Sequence, residues 1–229
     1  MTHPGTHVRM RPLSIATWIT LASLVCCLPC GAGDLSVLVV DRDGHGVDQV
    51  AVTATPSTGT TTTASAPVAA AVMDQRNRLF VPRLLVVAVG SSVQFPNNDT
   101  VSHQVYSFSP PKHFQLPLYK GEIHPPVVFD RPGLVVLGCN IHDSMVGYIY
   151  VTPAPYFGST DARGALLLKD LPKRDYQIAI WSPYIADAPA TLTRSVRVEG
   201  SGSQAERFQL KLGLRPEPEP KPHRENWDY

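Results

Sequence analysis

The chain has 229 residues, of which 43% are apolar and 17% charged, and its formal net charge is +1. That length holds one large or two small hydrophobic cores, and the composition excludes a charge-driven disordered chain. A near-neutral balance without Lys/Arg runs excludes a basic surface for nucleic acid or for an anionic membrane.

At the N-terminus Arg9 and Arg11 precede an apolar run from Leu13 to Leu28, and the small residues Cys30-Gly31-Ala32-Gly33 lead to the first acid, Asp34. A basic region, an apolar region and a small-residue cleavage site predict a secretory signal peptide over 1–33 and a periplasmic or otherwise exported location. The run is short for a membrane span, so no stable span is expected after cleavage. Removal of the signal takes Cys26, Cys27 and Cys30 with it and leaves Cys139. A lone cysteine in an exported protein is a reactive thiol, an intermolecular partner, a metal ligand or an inert core residue.

From Leu35 the pattern is strand-like throughout. Leu35 to Val40 runs through the turn cluster Asp41-Arg42-Asp43-Gly44-His45-Gly46 into Val47 to Thr55, which reads as a hairpin. Pro56 to Pro67 is a Ser/Thr-rich loop. Strands follow over Val68 to Met73, Leu79 to Val89 with an interruption at Pro82, Ser91 to Phe95, and Val101 to Tyr106. Ser107 to Pro126 reads as a long irregular connection. Val127 to Asp130, Leu134 to Cys139 and Gly147 to Val151 are strand-like again. A last set covers Ala165 to Leu168, Tyr176 to Trp181, Thr191 to Val198 and Arg207 to Leu212. Sustained helical periodicity is absent after the signal, so the fold class is all-β, built as a sandwich. Alternating Pro and charge from Arg215 to Pro222 predicts an extended, disordered tail over 214–229.

The chemistry concentrates at Cys139-Asn140-Ile141-His142-Asp143-Ser144-Met145. Thiolate, imidazole and thioether at a Cys-x-x-His-x-x-Met spacing form a soft donor set that selects copper, and a trigonal His, His, Cys site with a weak axial Met is an electron-transfer arrangement. A second imidazole has to come from elsewhere. His45, His113, His124 and His223 lie in turns, loops or the tail, whereas His103 sits between Phe95-Pro96-Asn97 and Val105 in a strand-loop-strand setting. His103 is therefore the candidate.

With these residues in place, Val68 to Thr152 resembles the cupredoxins, the small blue-copper proteins such as plastocyanin, pseudoazurin and amicyanin. The resemblance rests on Gly90 to Asn97, on His103-Gln104-Val105 and on Cys139 to Val151; the short ligand spacing is most like amicyanin. The wider string, with Val105-Tyr106-Ser107-Phe108 and Gly138 to Asp143, resembles bacterial methylamine-utilisation cupredoxins. This resemblance implies a Greek-key β-sandwich over 66–153 holding one type 1 copper, with His103, Cys139 and His142 equatorial and Met145 axial. It implies single-electron exchange between a protein donor and a protein acceptor, without enzymatic activity. Gln104 stands where the family commonly has Asn, and Leu137 where an aromatic is common, so the potential is not carried over.

The flanks are similar to something else. Val40 to Val47, together with Thr160 to Ala165 and Leu171 to Tyr176, resembles a carboxypeptidase regulatory-like β-sandwich. The resemblance implies an accessory sandwich from 34–65 and 154–213 split around the copper module. Two other readings remain at this stage: a carbohydrate- or ligand-binding sandwich using Tyr156, Phe157, Trp181 and Tyr184, and a copper delivery or storage protein. Hydrolysis finds no nucleophile elbow or phosphate loop to support it.

Overall fold

The computed structural model describes residues 1, 31–58, 70–121, 124–188, 192–200 and 202–216. The signal-peptide run, most of the Ser/Thr-rich loop and the tail from 217 onward lie outside the described residues.

The described residues form seventeen strands and no α-helix, so the protein is all-β. In chain order they are β1 (Ala32–Val40), β2 (Ala51–Pro56), β3 (Ala71–Val72), β4 (Asp74–Arg76), β5 (Leu79–Val81), β6 (Leu84–Ala88), β7 (Ser91–Gln94), β8 (Tyr106–Ser109) and β9 (Lys112–Gln115). Then come β10 (Val127–Phe129), β11 (Gly133–Gly138), β12 (Val146–Thr152), β13 (Tyr156–Ser159), β14 (Ala165–Pro172), β15 (Arg174–Trp181), β16 (Thr193–Val198) and β17 (Ser203–Gln209).

Two hydrophobic cores separate along the sequence. The first collects Leu35, Val37, Val39, Val52, Ala54, Ile178, Ile180 and Phe208 from the two flanks. It lies between the sheets β14-β1-β17 and β13-β2-β15-β16. The second collects Phe80, Val93, Phe95, Phe129, Val135, Leu137, Ile149 and Val151 from the middle of the chain. It lies between the sheet β10-β7-β3 and the five-stranded sheet β6-β12-β11-β8-β9. Both cores arise from the period-2 alternation of strands, which sends every second side chain inward.

The contacts between the two sandwiches are specific. The Gln49 carboxamide oxygen accepts the N–H groups of Arg83 (2.8 Å) and Leu84 (3.1 Å). The Trp181 ring stacks on Tyr150 with centroids 5.4 Å apart, and Trp181 and Tyr184 both meet Tyr148 edge-on. Of the aromatics predicted as stacking platforms, Tyr156 packs on the first core beside Tyr176, and Trp181 and Tyr184 are committed to this junction.

Three local expectations are corrected. The Asp-Gly turn after Val40 does not pair β1 with β2: the two strands belong to different sheets, and the turn closes on itself through a bridge from Val40 to Gly46 and a bond from Val47 N–H to the Val39 carbonyl. Leu35, Val37 and Val39 share one core with Val50, Val52 and Ala54, so these strands bury more by facing each other across the core than by lying side by side. Val101 to Val105 is loop rather than strand, because His103 is engaged in an isolated bridge with Tyr119. Ser107 to Pro126 is less irregular than its prolines imply, since β8 and β9 form a hairpin about Pro110-Pro111, with Tyr106 opposite Gln115.

Candidate metal centre

Strand periodicity aims the candidate ligands. On β11 Val135 and Leu137 point inward, and Cys139, two residues further, continues on that face and is 3% exposed. On β12 Gly147, Ile149 and Val151 point inward, and Met145 continues that face backward and is fully buried. The seven residues from Cys139 to Met145 therefore form a hairpin loop between antiparallel strands whose last pair is Gly138 with Val146. Its turn is closed by Met145 N–H donating to the His142 carbonyl (2.9 Å) and Val146 N–H to the Ser144 carbonyl (3.0 Å). Gly147 is required beneath this loop: a Cβ there would lie 2.8–2.9 Å from the Phe80 side chain.

His103 arrives from the other side. Its backbone exchanges two hydrogen bonds of 3.0 Å with Tyr119. Asn97 shapes the preceding loop, with its carboxamide donating to the carbonyls of Tyr119 (2.8 Å) and Val101 (3.1 Å) and accepting from Asp99 N–H (2.9 Å). The Tyr119 hydroxyl donates to the Phe95 carbonyl and accepts from Gln75. Burial pushes that phenol up to about 12, against a smaller opposing effect of the Gln75 bond. His103 is thereby held with no exposure at all.

The loops bring three donors together. Cys139 Sγ lies 3.8 Å from Nδ1 of His103 and 3.8 Å from Nδ1 of His142, and the three donor atoms fall within 4.8 Å of one another. The imidazole rings are 4.9 Å apart at 59°. Bonds of about 2.3 Å to sulfur and about 2.0–2.1 Å to nitrogen, opened to a trigonal angle of about 120°, separate sulfur from nitrogen by about 3.8 Å. The two sulfur–nitrogen separations thus match those of a thiolate and two imidazoles sharing a first-row metal ion. Met145 is not one of the three; it belongs to the buried core that also includes Cys139. Cys139 is the free cysteine among the described residues.

One residue joined to the cluster was not legible beforehand. Oδ2 of Asp99 lies 2.8 Å from Nε2 of His103, with the two side chains 6% and 0% exposed. The same oxygen accepts Arg78 N–H, and Oδ1 accepts Thr100 N–H, each at 2.6 Å. Burial acts to raise the Asp99 carboxyl, but the bonds from Arg78, His103 and Thr100 outweigh it and hold the group at about 2. An ionised carboxylate only accepts, so Nε2 of His103 is the donor in this pair, and Nδ1 is the ring nitrogen that faces Cys139. The available signal was an acid four residues before a ligand histidine, and it has meaning only once the turn folds back on the ring.

Of the remaining histidines, His113 packs edge-on to Phe108 and His124 edge-on to Tyr119, and His45 pairs with Asp41, so none joins the cluster. Gln104 is half-buried, and Leu137 is a core residue.

No family model matches the chain, and no curated protein matches it. Solved structures similar to it include a cupredoxin, amicyanin variants and a copper-containing nitrite reductase. A purple cupredoxin from Nitrosopumilus maritimus is 24% identical, with 36% of this chain and 99% of that one covered and a TM-score of 0.33. A reduced amicyanin variant is 24% identical over 44% of this chain and 99% of that one, with a TM-score of 0.34. A Cu-containing nitrite reductase from Thermus scotoductus SA-01 is 27% identical over 36% of this chain and 22% of that one, with a TM-score of 0.34. The last of these corrects the expectation that the resemblance implies no enzymatic activity, because an enzyme stands among the similar structures. Among the described residues no helix is long and apolar enough to cross a membrane.

Proposed function

We propose that this chain is an exported type 1 copper protein that passes single electrons between protein partners. The observation that carries the reading is the trigonal fit of Cys139 to both imidazoles at 3.8 Å. Bound copper would supply a one-electron couple. His103, Cys139 and His142 would hold it, and Met145 would supply a fourth, weaker sulfur donor. The packed side chains of Phe95, Val105, Leu137 and Met145 exclude water from the donors and keep the loop geometry constant between redox states.

His142 is the half-buried ligand, and its neighbour Ile141 is 50% exposed. That apolar edge is the proposed contact for a redox partner. The flanking core would belong to an accessory sandwich of residues 34–65 and 154–213, similar to carboxypeptidase regulatory-like domains, with the copper module at 66–153 inserted into it. The two separate cores support this division. A signal peptide over 1–33 and a periplasmic location complete the reading, and the amicyanin-like ligand spacing favours a methylamine-utilisation setting.

Loading the purified protein with Cu(II) tests the copper reading. An intense thiolate charge-transfer colour that vanishes in Cys139→Ser is expected. A colourless wild-type complex rejects it.

A further inference from the structure

Asp99 is built into the donor cluster without being a donor. Its carboxylate faces the ring nitrogen of His103 that points away from Cys139, at 2.8 Å, while Nδ1 of the same ring lies 3.8 Å from Sγ. Carboxylate, imidazole and thiol are therefore in series, and the carboxylate and imidazole ends are almost wholly removed from solvent. Two backbone N–H groups, from Arg78 and Thr100, hold the carboxylate in place from strand-linking loops on different segments of the chain. Arg78 contributes its backbone N–H there.

Such a partner has two physical consequences. It fixes the tautomer and the plane of the ligating ring, and it makes that ring a stronger electron donor. A buried negative charge one imidazole away from a metal also interacts with little dielectric screening, so it favours the more highly charged oxidation state.

We propose that Asp99 is a positioning residue of the metal centre, locking His103 as the Nε2–H tautomer and stabilising the oxidised over the reduced ion. The redox half of this proposal rests on the copper reading above; the tautomer half rests on the hydrogen bonds alone. Asn keeps an acceptor for the ring and for Arg78 while removing the charge and the acceptor for Thr100 N–H, so Asp99→Glu, which keeps both oxygens, is the control for the lost loop bond.

The copper-loaded protein, Asp99→Asn and Asp99→Glu are compared by voltammetry and by competition for Cu(II) and Cu(I). In Asp99→Asn the Cu(II) affinity should fall by about 10- to 100-fold, more than the Cu(I) affinity. Each tenfold change in their ratio should raise the potential by about 59 mV. Asp99→Glu, which restores the charge, should recover part of the shift. Equal potentials in wild type and Asp99→Asn, both coloured, overturn the redox half. The tautomer is read without metal by nitrogen NMR of the wild-type His103 ring, where a proton on Nδ1 instead of Nε2 overturns the positioning half. A colourless wild type would reject the copper reading, and the redox half with it, while leaving the NMR result to decide the tautomer.

Discussion

Oδ2 of Asp99 and Nε2 of His103 lie 2.8 Å apart, which joins a loop carboxylate to the same buried arrangement as the Cys139 thiol. Its folded-state ionisation near 2 is well below the ordinary value of 3.8. A depressed carboxyl stabilises the fold fully above its unfolded value and loses that contribution as pH falls toward the folded value. The stability of the metal-free protein should therefore decline between 3.8 and about 2 more steeply than that of Asp99→Asn. Urea unfolding at a series of pH values measures the difference; parallel curves would rule out this role for Asp99.

Met145→Leu separates burial from ligation at the fourth position. Met145 is fully buried, and Leu preserves shape and apolarity, so stability should change by less than about 1.5 kcal/mol. The Cu(II) complex should keep a thiolate band, because the three clustered donors remain, but the band should move. An unmoved band would remove Met145 from the ligand set.

Gly147→Ala tests the floor of the loop. The added methyl would press on the buried Phe80 side chain at 2.8–2.9 Å, and overpacking of that kind costs about 1–3 kcal/mol. Denaturant unfolding of the metal-free protein reads the cost, and a variant as stable as wild type would mean that Phe80 shifts freely.

Ile141→Asp addresses the exposed edge beside His142. A charge placed there should slow electron self-exchange between oxidised and reduced copies, measured by NMR line broadening, with the copper spectrum unaltered. A self-exchange rate equal to wild type would move the point of electron entry elsewhere.

Trp181→Ala probes the junction of the two sandwiches. Loss of the stack on Tyr150 and the edge contact with Tyr148 should lower stability by about 1–2 kcal/mol. Calorimetry of the full chain would show the loss, and an unchanged melting profile would make the junction energetically neutral.

The candidate site was legible in the sequence to the extent that its chemistry is local. Cys139 and Met145 extend the inward faces of β11 and β12, so residue type and period 2 sufficed for them, and His142 lies in the short loop between the two. His103 was reachable because few histidines sit between strands. Asp99 was not, since an acid in an Asn-Asn-Asp-Thr loop looks solvated until the loop closes over a buried ring.

The fold divides in the same way. Apolar alternation by itself determined that the chain is all-β and roughly where most strands lie. Pairing was decided only by tertiary structure: β1 and β2, joined by a good turn sequence, separate into facing sheets, and β1 instead pairs in parallel with β17 from the far end of the described chain. Alternation says which side chains seek a core, and it is silent about which strand lies across that core and which lies beside. That choice, made by total burial rather than by any local turn, also carries His103, Asp99 and Cys139 into one place.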